Sequence, residues 1–421
     1  MIRILILGGG FGGVRCALDL SKKLKKQTSI TLVDRNGYHL FTPALYEVAS
    51  MCDLKSSEDK DFFAVEKRET ICIPFSDIFY SKKETGINFI QAEVGLVDLK
   101  LKRVVTKGGE ILPYDYLVIA LGSQSADFGI YGVREYAHQF KNINDAITIN
   151  LKIEKFIKQM VSGQKMTPLR ILIGGAGFTG IEFAAEIICC VKNILKTNKL
   201  RFQNIQVMLI EAGSKILPMI SNKERDKISK RLTKLGVILM EGLEIGEVGD
   251  NFVKLKNGKT IDGDIVVWTA GVRANEFLKS IEGLPLAVNG KIKVGVNLNV
   301  QGLDDVFSVG DDQEFIDPKT QKPVPAFAHT AIEQGKIVAV NIYNLVNSRK
   351  LKTYIPHYKS WIAPVGGKFA LVHLWNGIGI GGLVGWLIRE FVDFKYLVSI
   401  LGFKKGSSLF LREIKMFIKN D

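Results

Sequence analysis

The stretch "ILIGGAGFTGIEFAAEI", residues 171–187, joins an apolar run to a set of glycines and then to a helix-forming segment. The chain opens with the same pattern, "IRILILGGGFGGVRCALDL", at residues 2–20. Each pattern places Gly-x-Gly-x-x-Gly between an apolar strand and a helix, an order typical of turns that hold a pyrophosphate at a helix N-terminus. Because one such turn serves one dinucleotide, the two copies predict two dinucleotide sites about 165 residues apart.

The first copy has Gly8, Gly10 and Gly13 after its predicted strand. The next predicted strand, 30–33, ends in Asp34, which lies 21 residues beyond Gly13. A carboxylate at this place accepts hydrogen bonds from ribose hydroxyls, so the full order of strand, glycines, helix, strand and acid indicates a dinucleotide site.

The second copy has Gly175, Gly177 and Gly180, and its following strand ends in Glu211. The gap from Gly180 to Glu211 is 31 residues, which predicts an extended helix and loop over 189–204. The carboxylate of Glu211 can accept from a ribose 2′-hydroxyl but would repel a 2′-phosphate, so we expect NADH to be preferred over NADPH.

Three further stretches complete the pattern. "YDYLVIALGS" (114–123), "GDIVVWTAGVRAN" (263–275) and "DVFSVGDDQEF" (305–315) each predict a buried strand, and an apolar helix follows at 326–346. The repeated order of glycine turn and later strand predicts an α/β protein with two Rossmann-like units.

Composition limits the function classes. The chain has 421 residues, 47% hydrophobic and 24% charged, which predicts two or three globular domains. The net charge of +14 and the pI of about 9.3 favour anionic partners such as acidic lipid or phosphorylated ligands. The chain has no zinc-finger spacing, RNP-like motif or long basic block, so we expect no nucleic acid. The densest basic run, "KKLKK" at 22–26, is expected at the end of the first helix.

The cysteines are Cys16, Cys52, Cys72, Cys189 and Cys190. An odd number without a CxxC motif argues against a disulfide framework and against zinc. The five histidines are scattered without metal-ligand spacing, so we expect no metal site. A strand that begins at residue 2 leaves no room for a signal or transit peptide, which favours a reducing, cytosolic compartment.

The order of motifs resembles the two-dinucleotide-binding flavoprotein reductases, whose fold is that of glutathione reductase. Three segments narrow this resemblance to the type II NADH dehydrogenases, the single-subunit NADH:quinone oxidoreductases. They are "YHLFTPALYEVAS" (38–50), "PAFAHTAIEQGKIVAVNI" (325–342) and "GKFALVHLWNGIGIGGLVGWLIREFV" (367–392). The resemblance covers nearly the whole chain.

The resemblance implies that the first turn holds FAD and the second holds NADH. It also implies that the Gly-Asp step at 310–311 returns to the FAD domain, so that the NADH domain is an insertion. The implied FAD-binding domain has two parts, at 1–140 and 286–366. The implied NADH-binding domain lies between them, at 141–285, and a C-terminal membrane-anchoring region follows at 367–421.

The resemblance further implies a set of site residues. The cofactor-binding residues are Gly8, Gly10, Phe11, Gly12, Gly13, Asp34, Arg35, Thr42, Pro43, Val94, Ala120, Gly122, Gly175, Gly177, Thr179, Gly180, Glu211, Ala270, Gly271, Gly310, Asp311 and Ala328. Glu182 matches an acid near the nicotinamide and the flavin, and its alternative is an acid favoured by the helix dipole. Lys368 is either a cation beside the flavin pyrimidine edge or a surface lysine.

The helix at 326–346 resembles the quinone-site helix of that family but departs from its pattern, Ala-Gln-x-Ala-x-Gln. Here the two glutamines are replaced by His329 and Glu333, which share a helix face at i and i+4. Quinone reduction consumes protons, and a histidine whose pKa is raised by Glu333 can donate one. The substitutions indicate a retained quinone site with an added proton donor, a different acceptor, or a surface ion pair.

The resemblance implies an enzyme that passes a hydride from NADH to FAD and two electrons to a membrane quinone, without pumping protons. Such chemistry needs no protein nucleophile. Two alternatives stay open. One is another reductase on this fold, such as sulfide:quinone oxidoreductase, which uses a cysteine far towards the C-terminus, whereas this chain has none after Cys190. The other is a redox-sensing flavoprotein that acts through partner binding.

The C-terminal region has 20 uncharged residues from Phe369 to Ile388, which raises the question of a membrane span. We expect a strand, then a glycine-rich stretch, then apolar residues at helical spacing from 383 to 401 that Arg389, Glu390 and Asp393 interrupt, and a second apolar stripe at 410–417. Charged faces beside apolar stripes favour helices that lie on an anionic membrane, peripheral and on its cytoplasmic face. The alternative is packing on the body or on a second subunit of a homodimer.

Overall fold

The computed structural model describes residues 1–24, 28–51, 60–80, 85–199 and 204–417. Cys52, positions 25 and 26 of the basic run, and positions 200–203 of the predicted loop lie outside these ranges. The helices of the described residues are α1 (Phe11–Leu24), α2 (Leu45–Ser50), α3 (Lys60–Ile71), α4 (Phe75–Phe79), α5 (Val133–Tyr136), α6 (Ile143–Val161), α7 (Phe178–Thr197), α8 (Asn222–Leu235), α9 (Ala328–Val346), α10 (Leu383–Leu401) and α11 (Phe403–Phe417).

The strands of the same residues fall into two parallel sheets and several smaller ones. They are β1 (Ile2–Leu7), β2 (Thr28–Asp34), β3 (Tyr38–Leu40), β4 (Cys72–Pro74), β5 (Ile87–Gln91), β6 (Val94–Asp98), β7 (Arg103–Thr106), β8 (Ile111–Pro113), β9 (Tyr116–Ile119), β10 (Ser123–Ser125), β11 (His138–Gln139), β12 (Leu169–Gly174), β13 (Ile205–Glu211), β14 (Val237–Glu241), β15 (Ile245–Gly249), β16 (Phe252–Leu255), β17 (Thr260–Asp262), β18 (Ile265–Trp268), β19 (Val272–Ala274), β20 (Ile292–Lys293), β21 (Val306–Ser308), β22 (Gln313–Glu314), β23 (Trp361–Pro364), β24 (Ala370–His373) and β25 (Gly379–Ile380).

The first parallel sheet has the order β21-β9-β1-β2-β5, with Ile4 of β1 opposite Ile30 of β2. Ile4 and Leu5 point to opposite faces of the sheet and are both buried, so both faces of β1 are covered, which explains the unbroken apolar run at 4–7. The first glycine turn follows β1 at the carboxyl edge of the sheet, and α1 begins there at Phe11.

The second parallel sheet repeats this plan with the order β11-β18-β12-β13-β14, and Ile171 lies opposite Val207. The second glycine turn follows β12, and α7 begins at Phe178. Each sheet is accompanied by a three-stranded antiparallel sheet, β6-β7-β8 in the first unit and β15-β16-β17 in the second. The prediction of two Rossmann-like units is therefore confirmed.

The chain returns to the first sheet after completing the second. Strand β21 pairs in parallel with β9, so Val306 lies opposite Leu117 although 189 positions separate them. The two units are also joined by an antiparallel ribbon of β10 and β19, with Ser123 opposite Ala274. The carboxyl ends of β1, β9 and β21 thus meet at one edge, where the first glycine turn lies.

The C-terminal region forms the antiparallel sheet β23-β24-β25 and then α10 and α11. Among the described residues no helix has the length and apolar character needed to cross a membrane. Leu397 and Leu401 of α10 are buried in the body, whereas Leu387 and Phe391 are 53% and 63% exposed. Helix α10 therefore has an inner apolar face and an outer one.

Three of the charged residues that interrupt the apolar run of α10 face the body of the protein. Arg389 pairs with Glu47 of α2 at 2.6 Å and with Asp393 and Glu390 of its own helix at 3.0 and 2.8 Å. These side chains turn inwards because Glu47, itself buried, needs a cation. The charges anchor α10 to the body and leave apolar side chains outside.

Helices α1 and α9 cross at glycines. A Cβ atom on Gly335 of α9 would lie 2.4 Å from the Gly12 carbonyl oxygen and 3.2 Å from the Cys16 nitrogen of α1. The neighbouring Gln334 accepts a hydrogen bond of 2.8 Å from the Gly310 nitrogen. This close approach holds the start of α9 beside the first glycine turn.

We expect Gly335→Ala to destabilise the protein by about 2 kcal/mol, because the added methyl group meets backbone that has no flexible end to move. Gly108→Ala is the control, since its Cβ would lie 3.7 Å from the nearest atom and no positive φ is required. Denaturant unfolding measures both. Equal midpoints for the two variants would show that the crossing is not closely packed.

Candidate functional site

The first glycine turn is closed on its inner side and open on its outer side. Gly8 has φ +104, and its Cβ would lie 2.1 Å from the Ala120 carbonyl oxygen, while a Cβ on Gly13 would lie 2.0 Å from the Gly8 oxygen. Only glycine fits at these two positions. A Cβ on Gly10, in contrast, would meet nothing within 4 Å, so the middle of the turn faces open space.

Asp34 fixes the turn from the neighbouring strand. Its Oδ2 accepts from the Gly9 nitrogen at 2.7 Å, and its Oδ1 accepts from the Asn36 nitrogen at 2.7 Å. Burial raises the pKa of Asp34, although these backbone hydrogen bonds oppose the rise. The Oδ1 also accepts from the Asn36 side chain at 3.3 Å, so the Oδ2 is the oxygen that keeps a lone pair with which to accept from a ribose hydroxyl.

The second glycine turn has the same geometry. A Cβ on Gly175 would lie 2.3 Å from the Ala270 Cα, and one on Gly180 would lie 2.0 Å from the Gly175 oxygen, whereas one on Gly177 would meet nothing within 4 Å. The inner side is again closed and the middle open. This shared shape leaves room for a pyrophosphate at the N-termini of both α1 and α7.

Glu211 repeats the arrangement of Asp34. Its Oε2 accepts from the Ala176 nitrogen at 2.7 Å and its Oε1 from the Gly213 nitrogen at 2.7 Å. The two acids therefore hold equivalent places at two equivalent turns.

Asp311, predicted from the Gly-Asp step, lies at the carboxyl edge of the first sheet. Its Oδ2 accepts from the Ser123 hydroxyl at 2.6 Å and lies 3.7 Å from the Lys141 Nζ. The adjacent Asp312 was not predicted. It is buried, accepts from the Leu121 nitrogen at 2.5 Å, and has its pKa raised to about 7 chiefly by burial.

Asp312 also accepts from the nitrogen of Gly122, a predicted site residue, at 2.8 Å. It therefore holds the loop after β9 against the end of β21. The only sequence signal was its position beside Asp311, since a carboxylate that binds backbone nitrogens across 190 residues leaves no local pattern.

The N-terminus of α9 lies against the N-terminus of α7. Phe178 is 6.1 Å from Phe327 and 5.5 Å from Trp361, and Phe327 stacks on His329 at 5.4 Å, measured between ring centroids. Because α9 also crosses α1, the predicted helix brings Ala328 and His329 between the two dinucleotide turns.

Glu333 makes no hydrogen bond to His329 among the described residues, although its charge still acts on that imidazole. Glu333 instead accepts from the His357 nitrogen at 3.3 Å and lies 3.5 Å from its Nδ1. Burial lowers the pKa of His329, an effect that Glu333 opposes without reversing, so the imidazole is neutral at pH 7. Its Nε2 is buried and has no hydrogen-bond partner among the described residues.

Glu182 lies in the first turns of α7, close to a set of carboxylates that the sequence reasoning missed. Burial raises its pKa to about 8, with Arg389 lowering it and Glu47 and Asp393 raising it further. A protonated Glu182 at neutral pH can donate a proton, which a first-turn acid in water could not.

The same acidic region extends to α11. A small cavity there is lined by Glu47, Glu186, Arg389, Asp393 and Glu413, among others. Burial raises the pKa of Glu413 well above its usual range, and its Oε1 has no hydrogen-bond partner among the described residues. The sequence showed these charges only as interruptions of an apolar stripe.

The other predicted residues lie on several different elements. Thr42 and Pro43 form a 3₁₀ turn with Ala44 directly before α2. Lys368 is exposed between β23 and β24 and makes no hydrogen bond or ion pair with the described residues. The remaining placements are Phe11 and Gly12 at the start of α1, Arg35 exposed after β2, Val94 buried at the start of β6, Thr179 exposed in α7, and Gly271 before β19.

The described cysteines offer no evidence for thiol chemistry at this site. Cys16 and Cys72 are buried, and burial raises the pKa of both thiols, that of Cys72 to about 12. Both therefore stay protonated and unreactive. Within the described ranges no group of three or more His, Cys, Asp or Glu side chains is placed to hold a metal ion.

Comparison with known proteins agrees with this geometry. The family model described as pyridine nucleotide-disulphide oxidoreductase matches residues 2–335. A type II NADH:quinone oxidoreductase of Staphylococcus haemolyticus is 30% identical over 415 residues, which cover 96% of this chain and 98% of that protein.

Two solved structures share the fold. The structure of NDH2 from Plasmodium falciparum in complex with NADH has a TM-score of 0.82 and 19% identity, covering 98% of each chain. The sulfide:quinone oxidoreductase of Aquifex aeolicus has a TM-score of 0.77 and 19% identity, covering 100% of this chain and 96% of that one. Matched in sequence over almost its whole length, the chain belongs to the pyridine nucleotide-disulphide oxidoreductases and, within them, to the type II NADH:quinone oxidoreductases.

Proposed function

We propose that this protein oxidises NADH with FAD bound at the first glycine turn and reduces a membrane quinone. The observation that carries the proposal is the pair of equivalent turns, each open at its middle glycine, whose helices are joined by the start of α9. Bound FAD supplies the electron chemistry, since it accepts a hydride from NADH and passes two electrons on. The protein's part is to hold the rings, exclude water and supply a proton.

FAD is assigned to the first turn and NADH to the second. The supporting observation is that β21 returns to the first sheet and α9 crosses α1, so the first unit encloses its ligand with two separate parts of the chain. The corresponding domains are 1–140 with 286–366 for FAD, 141–285 for NADH, and 367–421 for the membrane-facing region. A resident cofactor suits the more enclosed unit.

The aromatic group at the start of α9 is the proposed quinone site. Phe178, Phe327 and Trp361 offer flat apolar surfaces. The other ring nitrogen of neutral His329 bonds the His357 backbone, so the unpartnered Nε2 can accept a hydrogen bond from a hydroxyl group of the quinol product. Reduction of a quinone to a quinol adds two electrons and two protons. The hydride of NADH supplies both electrons and one of the protons, so the second proton comes from solvent. Glu182 is the proposed donor, and Lys368 the proposed cation beside the flavin.

NADH should be used with a higher kcat/KM than NADPH, because Glu211 accepts from a 2′-hydroxyl and repels a 2′-phosphate. Replacing Glu211 with Gln should lower the ratio of kcat/KM for NADH to kcat/KM for NADPH about tenfold, because the 2′-phosphate is no longer repelled. Asp34→Asn, the same change at the equivalent acid of the first turn, should lower FAD content and leave the NADH to NADPH ratio unchanged. A wild-type preference for NADPH would overturn the assignment of the second turn.

The pH dependence of quinone reduction should follow Glu182. Its pKa of about 8 means that the carboxyl group is protonated at pH 7 and loses its proton above pH 8, so the rate at which quinone reoxidises the reduced flavin should fall there. Glu182→Gln should slow this step roughly 100-fold and abolish the fall. Rapid-mixing measurements separate this step from reduction by NADH.

The control for that experiment is Asp226→Asn on the exposed face of α8, which should change neither the rate nor the pH profile. His329→Ala should slow the same step at every pH and keep the fall above pH 8, since His329 is assigned to binding. A Glu182→Gln profile that matches the wild type would remove Glu182 from proton transfer.

We also propose that α10 and α11 bind the surface of an anionic membrane, peripherally and on its cytoplasmic face, where NADH is produced. Leu387 and Phe391 of α10 and Phe403 and Leu411 of α11 present exposed apolar side chains. Exposed basic residues such as Lys415 stand beside them. Apolar side chains with flanking cations favour an anionic bilayer surface.

The double variant Leu387→Gln with Phe391→Gln should bind phosphatidylglycerol vesicles at least tenfold more weakly than the wild type, because it removes apolar area that would be buried in the bilayer. Co-sedimentation measures the binding. Met166→Gln with Val288→Gln removes two apolar side chains elsewhere that are even more exposed, and it should have no effect on vesicle binding. If the α10 variant instead converts a dimer to monomers and binds vesicles normally, this face is a subunit interface.

A further inference from the structure

A buried histidine connects the first glycine turn to the C-terminal helix α10. The Gly9 carbonyl oxygen lies 2.9 Å from the His39 Nδ1, and the His39 Nε2 lies 2.7 Å from the Tyr396 hydroxyl. His39 is fully buried on β3, and Tyr396 lies on α10, 357 residues further along the chain. Three parts of the molecule are therefore joined by two hydrogen bonds.

The partners determine the direction of both bonds. A carbonyl oxygen can only accept, so the His39 Nδ1 carries the proton and donates to Gly9. The Nε2 of a neutral imidazole is then an acceptor, and the Tyr396 hydroxyl donates to it. Burial lowers the pKa of His39 to about 4, which keeps the ring in this neutral form at physiological pH. Both ring nitrogens are satisfied only while α10 is in place.

The bond to Gly9 orients the part of the turn that faces the cofactor. In a trans peptide the carbonyl of one residue and the N–H of the next point in opposite directions. Fixing the Gly9 carbonyl towards His39 therefore directs the Gly10 N–H the other way, at the N-terminus of α1 where an anion is favoured. The Gly9 nitrogen is held separately by Asp34 at 2.7 Å.

The second turn lacks this connection. The carbonyl of Ala176, which holds the place of Gly9, accepts instead from the backbone nitrogen of Leu217 at 3.3 Å, within the same α/β unit. Within the part of the chain that the structure describes, it is the turn assigned to the resident cofactor that is tied to the C-terminal helix in this way. The difference distinguishes two turns that are otherwise equivalent.

Aromatic packing holds the connection in a fixed position. Phe11, the first residue of α1, makes an edge contact with His39 at 4.9 Å, and its ring lies 5.0 Å from that of Tyr396. Phe41 stacks on Tyr396 at 5.6 Å with an interplanar angle of 15°. These rings exclude water from both hydrogen bonds, so losing one partner leaves a buried nitrogen unsatisfied.

We propose that Tyr396, acting through His39, is a positioning residue for the FAD pyrophosphate, so that docking of α10 on the body controls how tightly FAD is retained. The proposal rests on the assignment of FAD to the first turn. It gives the C-terminal helix a second role beside membrane contact, since its outer face carries Leu387 and Phe391 while its inner face secures the cofactor turn.

The test is the dissociation constant of FAD, measured by flavin fluorescence on adding FAD to flavin-free full-length protein. Tyr396→Phe keeps the ring and removes the donor, and it should weaken FAD binding about tenfold because His39 is no longer held in the position that orients the Gly9 peptide. Tyr114→Phe is the matched control. Tyr114 is also buried, but its hydroxyl has no hydrogen-bond partner among the described residues, so FAD binding should stay within about twofold of the wild type.

A double-mutant cycle identifies the route. His39→Phe should also weaken FAD binding, and adding Tyr396→Phe to it should have no further effect, because the hydroxyl acts only through the imidazole. The flavin-free thermal midpoint of Tyr396→Phe should lie below that of Tyr114→Phe, because a buried His39 nitrogen loses its partner. The further rise in the midpoint on adding FAD should also be smaller in Tyr396→Phe than in Tyr114→Phe. If His39→Phe does not fold, the dissociation constants of FAD for Tyr396→Phe and Tyr114→Phe still test whether Tyr396 positions the cofactor.

Two outcomes would overturn the proposal. One is a Tyr396→Phe protein that binds FAD within twofold of the wild type, and the other is an equal loss in the Tyr114→Phe control. Failure of the wild-type protein to bind FAD at all is a different result, since it would contradict the assignment of the first turn itself.

Discussion

Backbone approaches that leave no space for a Cβ atom determine where both cofactor turns lie. A Cβ at Gly13 would lie 2.0 Å from the Gly8 oxygen, and one at Gly180 would lie 2.0 Å from the Gly175 oxygen. Each turn is thereby folded tightly against its own strand, which leaves its middle glycine facing open space. The starts of α1 and α7 are fixed by these contacts, and the crossing of α9 over α1 depends on a similar close approach, between Gly335 and Gly12.

The C-terminal helices depend on a different kind of contact. Arg389 lies among Glu47, Glu390 and Asp393, where burial of so much negative charge would be costly without a cation. Because this network faces inwards, α10 turns apolar side chains outwards at Leu387 and Phe391. The same orientation brings Tyr396 to His39. We therefore propose that this single helix combines ionic anchoring with membrane contact and cofactor retention.

The local pattern of the sequence predicts those features that depend on neighbours in the chain. Both glycine turns, the acids that follow them and the helix at 326–346 were predicted because strand, turn and helix have strong local signals. Two features were not predicted. One is the pairing of Glu333 with His357 rather than with His329, and the other is the inward orientation of Arg389. Both depend on side chains brought together by the tertiary fold, and Tyr396 and His39 are 357 residues apart. A charge within an apolar stripe does not reveal which face of the helix it occupies.

The central claim is that electrons pass from NADH to FAD at the first turn and then to a quinone. The most direct measurement is an anaerobic titration of the FAD-loaded protein with NADH, followed by addition of a short-chain quinone. One equivalent of NADH should remove the absorbance of the oxidised flavin, and one equivalent of quinone should restore it. Flavin that NADH reduces but quinone does not reoxidise would contradict the account and indicate another electron acceptor.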